Sequence, residues 1–194
     1  MGEKRNFKGF LIAAILALIV LAAIGMFLFS KRRQFDAEIS PERLSDGSEY
    51  KFDKLNWGIS AAEAAKLLSF DIVKDTYRNE YEGAGGTVFY TAKNSFMLDG
   101  QEATLTFEFE DDGLAIVQYS FRLDEASAYE QWFVALTEEL LGLYGKESRS
   151  IENTGSPFCS KGYVWETDAT MLQITLITGE SYNPSALIGV ARKP

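Results

Sequence analysis

The single cysteine, Cys159, lies in the stretch Ser156-Pro157-Phe158-Cys159-Ser160. A thiol acts as a nucleophile only when a neighbouring group draws off its proton. The sequence contains no histidine, which removes the commonest general base and the commonest transition-metal ligand. Cys159 therefore reads as an incidental thiol. Paired carboxylates are the other route to catalysis, as in the cleavage of glycosidic bonds. With 28 acidic residues in 194, neighbouring acids arise from composition alone. Glu110-Asp111-Asp112 clusters oxygens but lacks the alternating ligands and distal glutamate of a calcium loop, so it reads as a solvated turn. Glu82-Gly83-Ala84-Gly85-Gly86 is glycine-rich. A phosphate loop, however, needs a strand before it, a helix after it and usually a lysine, and here the strand-like Thr87–Thr91 follows. No catalytic, cofactor-binding or metal-binding set is expected, and no cofactor.

The elements that hold these residues are easier to read. Trp57-Gly58-Ile59-Ser60 leads into Ala61-Ala62-Glu63, and Ser60 with Glu63 three residues on forms a capping box. The following Ala-rich run predicts a helix with Ala64, Leu67 and Leu68 on one face. Tyr50-Lys51-Phe52 could begin a strand, and residues 75–86 read as a polar loop. Glu102–Glu110 then alternates Ala103, Leu105, Phe107 and Phe109 against polar partners, and Ala115, Val117, Tyr119 and Phe121 repeat the pattern after Asp112-Gly113. Two alternating runs joined by Asp-Gly predict a hairpin. Asp124 is expected to cap a long helix ending at Tyr144-Gly145, its core stripe carried by Tyr129, Trp132, Phe133, Leu136, Leu140 and Leu143. Strands are expected at Tyr163–Thr167, Met171–Thr178 and Ala186–Ala191. Strands joined by short turns pair antiparallel, which gives an α+β domain with a sheet of about six strands and two amphipathic helices on one face. The two halves share an order, helix then strands, which suggests a degenerate duplication without a residue-level repeat.

Ahead of this domain, Gly9–Phe29 is 21 residues without a charge. As a helix it would be roughly 31 Å long, the thickness of a bilayer's hydrocarbon core. Lys4, Arg5 and Lys8 precede it, and Lys31, Arg32 and Arg33 follow. The run exceeds the apolar region of a cleaved signal peptide and continues past Ala23-Ile24-Gly25, so an uncleaved signal anchor is expected. The expected organisation is a basic tail over 1–8, a transmembrane helix over 9–29, a basic flank and polar linker over 30–49, and one α+β domain over 50–194. Basic flanks of similar strength leave orientation a near tie by the positive-inside rule. Exporting a tail with three cations is unfavourable, so the domain is expected outside the cytoplasm, on a single-pass cell-membrane protein.

The net charge of −9 divides unevenly: residues 1–33 sum to +5, which leaves 13 basic and 27 acidic side chains and −14 for the rest. So acidic a domain repels phosphate backbones and excludes nucleic acid as a partner class. Trp57-Gly58-Ile59-Ser60-x-x-Glu63, with Leu67-Leu68 and hairpins behind it, resembles the helix start of small bacterial envelope domains of BamE-like or β-lactamase-inhibitor-like α+β architecture. Leu140-x-x-x-Tyr144-Gly145-Lys146 is similar to the helix ending in membrane-anchored Gram-positive relatives of that type. The resemblance implies an envelope domain that works by binding, and transfers no functional residues. The expected partners are the lipid bilayer and a protein or envelope component, bound without enzymatic activity. A small regulatory or sensory subunit acting through its transmembrane helix is the alternative, and a carboxylate-dependent hydrolase ranks third.

Overall fold

The computed structural model of the protein describes residues 37–83, 85–123, 128–155, 157–179 and 182–193. The alternating runs form the longest strands: β3 (Thr87–Leu98), β4 (Gln101–Glu110) and β5 (Gly113–Arg122). Asp99-Gly100 and Asp111-Asp112 join them, with positive φ at both central residues of each turn. That is the twist a two-residue hairpin connection needs, and Asp tolerates it better than most side chains. A second meander, β6 (Arg149–Asn153), β7 (Phe158–Glu166), β8 (Thr170–Gly179) and β9 (Tyr182–Arg192), meets the first edge to edge. The sheet runs β1-β3-β4-β5-β9-β8-β7-β6, with β2 (Ile72–Lys74) also on β3. The short β1 (Ala37–Glu38) pairs parallel with Phe96 and Met97, while β2 pairs antiparallel with Tyr90–Ala92. Asn79 finishes this edge, its amide donating to the Phe89 carbonyl at 2.8 Å and accepting from the Phe89 N–H at 3.0 Å.

One face of the sheet carries the core. Ala103, Leu105, Phe107 and Phe109 are buried on β4 and Val117, Tyr119 and Phe121 on β5, and Ala186, Ile188 and Val190 continue the layer on β9. Side chains of this size contribute about 1.5–3 kcal/mol each when removed from water. Among the described residues three α-helices accompany the sheet: α1 (Ala61–Leu67), α2 (Thr76–Tyr81) and α3 (Tyr129–Tyr144). Phe133, Leu136 and Leu140 of α3 enter the core at a helical spacing, whereas α1 contributes only Ala64. The N-terminal segment covers the rest with Ile39, Leu44, Phe52 and Leu55.

The two meanders are copies of one plan. Adding 69 to each number turns Met97↔Glu102 into Glu166↔Met171, Ala103↔Phe121 into Leu172↔Val190, and Glu110↔Gly113 into Gly179↔Tyr182. The irregularity after Glu108 in the first hairpin recurs after Ile177 in the second, 69 residues on. Ala64 and Phe133, also 69 apart, are each the first buried residue of their helix. Each half is thus a helix followed by a four-stranded meander, and the halves join where β5 pairs antiparallel with β9.

The structure corrects the expected fold class. The sheet has nine strands where about six were expected, and β1 runs parallel to its neighbour. Strands β2 and β6 were missed because they are three and five residues long and mostly exposed. Among the described residues three α-helices stand where two amphipathic helices were expected, since α2 occupies the stretch read as a loop. Leu67 is 54% exposed, so it does not share a buried face with Ala64. Tyr50 makes only an isolated bridge with Ser45 in place of a strand. Part of the expected linker belongs to the domain: the compact unit starts at Ala37, and a 3-10 turn over Pro41–Leu44 buries both its end residues. Among the described residues no helix is long and apolar enough to cross a membrane. The fold described is therefore the sheet domain without a spanning helix. The helix expected over Gly9–Phe29, its flanks Lys4, Arg5, Lys8, Lys31, Arg32 and Arg33, and the cap expected at Asp124 lie outside the described residues.

Candidate functional site

The Trp57–Glu63 motif is a clip that fixes the first helix to the sheet. The Trp57 indole donates to the Tyr50 carbonyl at 3.1 Å, holding the preceding loop. Gly58 has φ of +79° and donates to the Leu114 carbonyl at 2.9 Å, while the Leu114 N–H returns to Ile59 at 2.8 Å. A side chain on Gly113 would stand 3.1 Å from the Gly58 Cα, so the two glycines allow this close approach. Ser60 and Glu63 exchange backbone and side-chain hydrogen bonds as a capping box. The polar side chains of the motif, Trp57, Ser60 and Glu63, are each engaged in holding the chain.

The second face of the sheet is different. Its side chains come from the other side of the same strands, polar on β3, β4, β5 and β8 and small or apolar on β9 and β7, and two rows cross these six strands. One row reads Thr91, Thr106, Gln118, Gly189, Gln173 and Val164; the next reads Ser95, Thr104, Ser120, Leu187, Thr175 and Gly162. Gln118 donates to the Ser120 hydroxyl at 3.1 Å and Gln173 to the Thr175 hydroxyl at 2.8 Å, one such pair on either side of β9. Gly189, between the two glutamines, has no side chain to fill the centre. Gln118, Ser120, Leu187, Gly189 and Gln173 are each partly exposed, and among the described residues no helix packs over them. Beside these rows lies a concavity of about 990 Å³, lined by Glu102, Thr104, Ser120, Arg122, Asn183, Ser185 and Leu187. Arg122 has no ion-pair partner among the described residues.

Acids at the margins of this face sit in opposite environments. Burial raises the Glu108 carboxyl above its ordinary range; nearby Glu110 adds to the effect and Arg78 opposes it. Glu166 is held below its ordinary range by Lys193 at 2.9 Å and Arg149 at 3.0 Å. A face of hydroxyls and amides with charges at its rim can form many directional contacts across a broad area. On it the Ser95 hydroxyl donates to the Glu102 carboxylate, and no group of three or more metal-binding side chains occurs among the described residues. Cys159 is exposed on β7, pairing in register with Thr178.

Sequence reasoning identified Thr104, Thr106, Glu108 and Glu110 as the polar side of β4, but did not assemble the face. The missing signal was the pairing of β5 with β9, which joins strands about 70 residues apart in the chain. Compared with protein-family models, with curated proteins and with solved structures, the chain matches none.

Proposed function

We propose that this protein is a membrane-tethered, non-enzymatic binding domain that holds a protein partner on the uncovered face of its sheet. The observation that carries the reading is that face: hydroxyl and amide side chains on β3, β4, β5 and β8, with Thr104, Gln118, Ser120 and Gln173 open to solvent, beside an open concavity. A sheet face that serves only as the back of a core has no need of a concave, hydrogen-bonding surface. Glu102, Glu108 and Glu110 at its margin and the net charge of −14 over residues 34–194 favour a partner with a basic contact surface. The charge-free run Gly9–Phe29 supports attachment to a bilayer, with the domain outside the cytoplasm. The resemblance of the Trp57–Glu63 motif to envelope binding domains points the same way.

The test uses the full chain in its own membrane. A photo-crosslinking residue at Leu187 should give a discrete protein adduct, and one at Val134, exposed on the α3 helix that packs on the opposite face, should not. Ser120→Arg should abolish the adduct while the protein still accumulates normally. The reading fails if Leu187 yields no adduct or if Ser120→Arg leaves it unchanged. Grafting residues 37–194 onto an unrelated membrane anchor should preserve the adduct, and its loss would favour a role for the native anchor. Protease added to intact cells should digest the domain; survival until lysis would place it in the cytoplasm.

A further inference from the structure

The edge of the sheet beyond β3 carries side chains that the fold does not use. Seven large hydrophobic side chains are exposed among the described residues, and four of them fall within residues 67–81: Leu67, Val73, Tyr77 and Tyr81. Tyr77 and Tyr81 are 70% and 68% exposed, one turn apart on α2, with ring centroids 4.7 Å apart. Helix α2 buries none of its own residues. Polar and charged groups hold it in place: the Asp75 cap, the Asn79 amide on the Phe89 backbone, and the Arg78 guanidinium 4.2 Å above the Phe89 ring. Two phenol rings held side by side in water add nothing to the packing of the domain. Such a cluster marks an interaction surface.

Two further observations say what that surface meets. The first is where the chain enters the domain. Both β1 and β2 lie along the outer side of β3, Ala37 opposite Phe96 and Ile72 opposite Ala92, four positions or about 13 Å apart. Because β1 runs parallel to β3, its N-terminal end is the end nearer β2. Only residues 30–36 separate Ala37 from the charge-free run Gly9–Phe29, a length of no more than about 28 Å at full extension. The edge that bears Tyr77 and Tyr81 is therefore the edge by which the domain is tethered. The second observation is charge. Residues 34–194 sum to −14, yet residues 66–93, which include β2 and α2, hold four basic and four acidic side chains. Anionic headgroups repel the rest of the domain and not this stretch. Tyrosine suits the headgroup layer, because its ring is apolar while its hydroxyl stays wet.

We propose that the β2–α2 edge rests on the lipid headgroup layer, with Val73, Tyr77 and Tyr81 in the interface. The sheet then stands edge-on to the membrane, and its open face stays free for a partner. This inference rests on the reading that Gly9–Phe29 attaches the chain to a bilayer.

The test uses the full chain in nanodiscs of phosphatidylcholine and phosphatidylglycerol, with a spin label on a fraction of the headgroups and carbon-13 in the tyrosine rings. Tyr77→Phe and Tyr81→Phe each remove one NMR signal and so assign it. The headgroup label should broaden Tyr77 and Tyr81 and leave Tyr163 sharp, since β7 lies five strand intervals, about 24 Å, from β3. The double variant Tyr77→Ser, Tyr81→Ser changes two exposed residues, so it should fold unchanged and lose the broadening of the Val73 methyl signals. Unaltered Val73 broadening in that variant would overturn the proposal, as would Tyr163 broadened as much as the two tyrosines. Sharp Tyr77 and Tyr81 signals in a chain that stays in the discs would overturn the docking and leave the tether standing. A chain that does not enter the discs would overturn both. A photo-crosslinking residue at Tyr77 that captures a protein in the native membrane would give this edge to a protein and overturn the proposal.

Discussion

The two halves follow one strand plan and solve the same burial problem differently. In the second half, the 16-residue α3 lays Phe133, Leu136 and Leu140 across the sheet. In the first, α1 has 7 residues and buries Ala64 alone, so residues 39–55 supply the cover. A long amphipathic helix closes its half with side chains of its own. A short one leaves closure to an irregular segment. The comparison shows that pairing register can survive a divergence that changes nearly every side chain. Between residues 95–123 and 164–192 only Asp99/Asp168 and Thr106/Thr175 are identical.

The contrast between the helices is the easiest part to break. Phe133→Ala should lower the unfolding free energy by about 3–5 kcal/mol, read by urea denaturation of the full chain. Leu67→Ala on the other helix should change it by less than about 0.5 kcal/mol, because Leu67 is largely exposed. Similar losses at both positions would show that α1 is packed more like α3 than its burial indicates. The sheet offers a smaller contrast. A Cβ at Gly162 would fall 2.1 Å from the Ile174 carbonyl oxygen, on a strand whose counterpart in the first half, β3, carries Thr91 facing Thr106. Gly162→Ala should cost about 1–3 kcal/mol or more through overpacking, and a neutral result would mean that β7 can shift as β3 has.

Capping comes next. Ser60→Ala removes the capping box of α1 and should cost about 1 kcal/mol. The cap position of α3, Ala128, has no side-chain bond to lose, and Ala128→Gly should have the smaller effect. The smallest contrast is in pH dependence. Glu166 has a lowered pKa, so its contribution is present above the unfolded value near 4.5 and is lost as pH falls through the folded value. Glu108 has a raised pKa, so its burial favours the folded state at low pH and the benefit is lost as pH rises through the folded value. Glu166→Gln should flatten the acid limb of stability against pH, whereas Glu108→Gln should raise stability at neutral pH. A shared sign for the two variants would refute the assignment.

What could be read from the sequence was whatever imprinted a period on it. The β4–β5 hairpin was legible because Phe107 and Phe109 face a core while Thr106 and Glu108 do not, and because an Asp-rich turn separates the runs. The α3 stripe was legible for the same reason at a helical spacing. Strand β6 escaped because Arg149–Asn153 is mostly exposed on both sides, so burial wrote no alternation into it. Helix α2 buries no residue, and its sequence carries no stripe. The polar row on β4 was visible, but the face it belongs to depends on a distant pairing. Hydrophobic pattern marks which side of a strand faces the core and is silent about which strand lies beside it. Trp132 is the sharpest case: it belongs to the stripe read as core, and only the structure shows its buried indole N–H to lack a partner among the described residues.

The edges of the sheet have a consequence for assembly. Beyond β3, the strand pairings of β1 and β2 and the amide of Asn79 use the backbone groups of Phe89 and of the paired positions through Met97. At the opposite end β6 has no outer neighbour among the described residues. The outer sides of β1 and β2 are only two and three residues long, so β6, five residues bearing Arg149 and Glu152, is the longer open edge among the described residues. Pairing β6 to β6 about a two-fold axis would use that edge in both copies and leave only the short, interrupted edge at the other end for further growth.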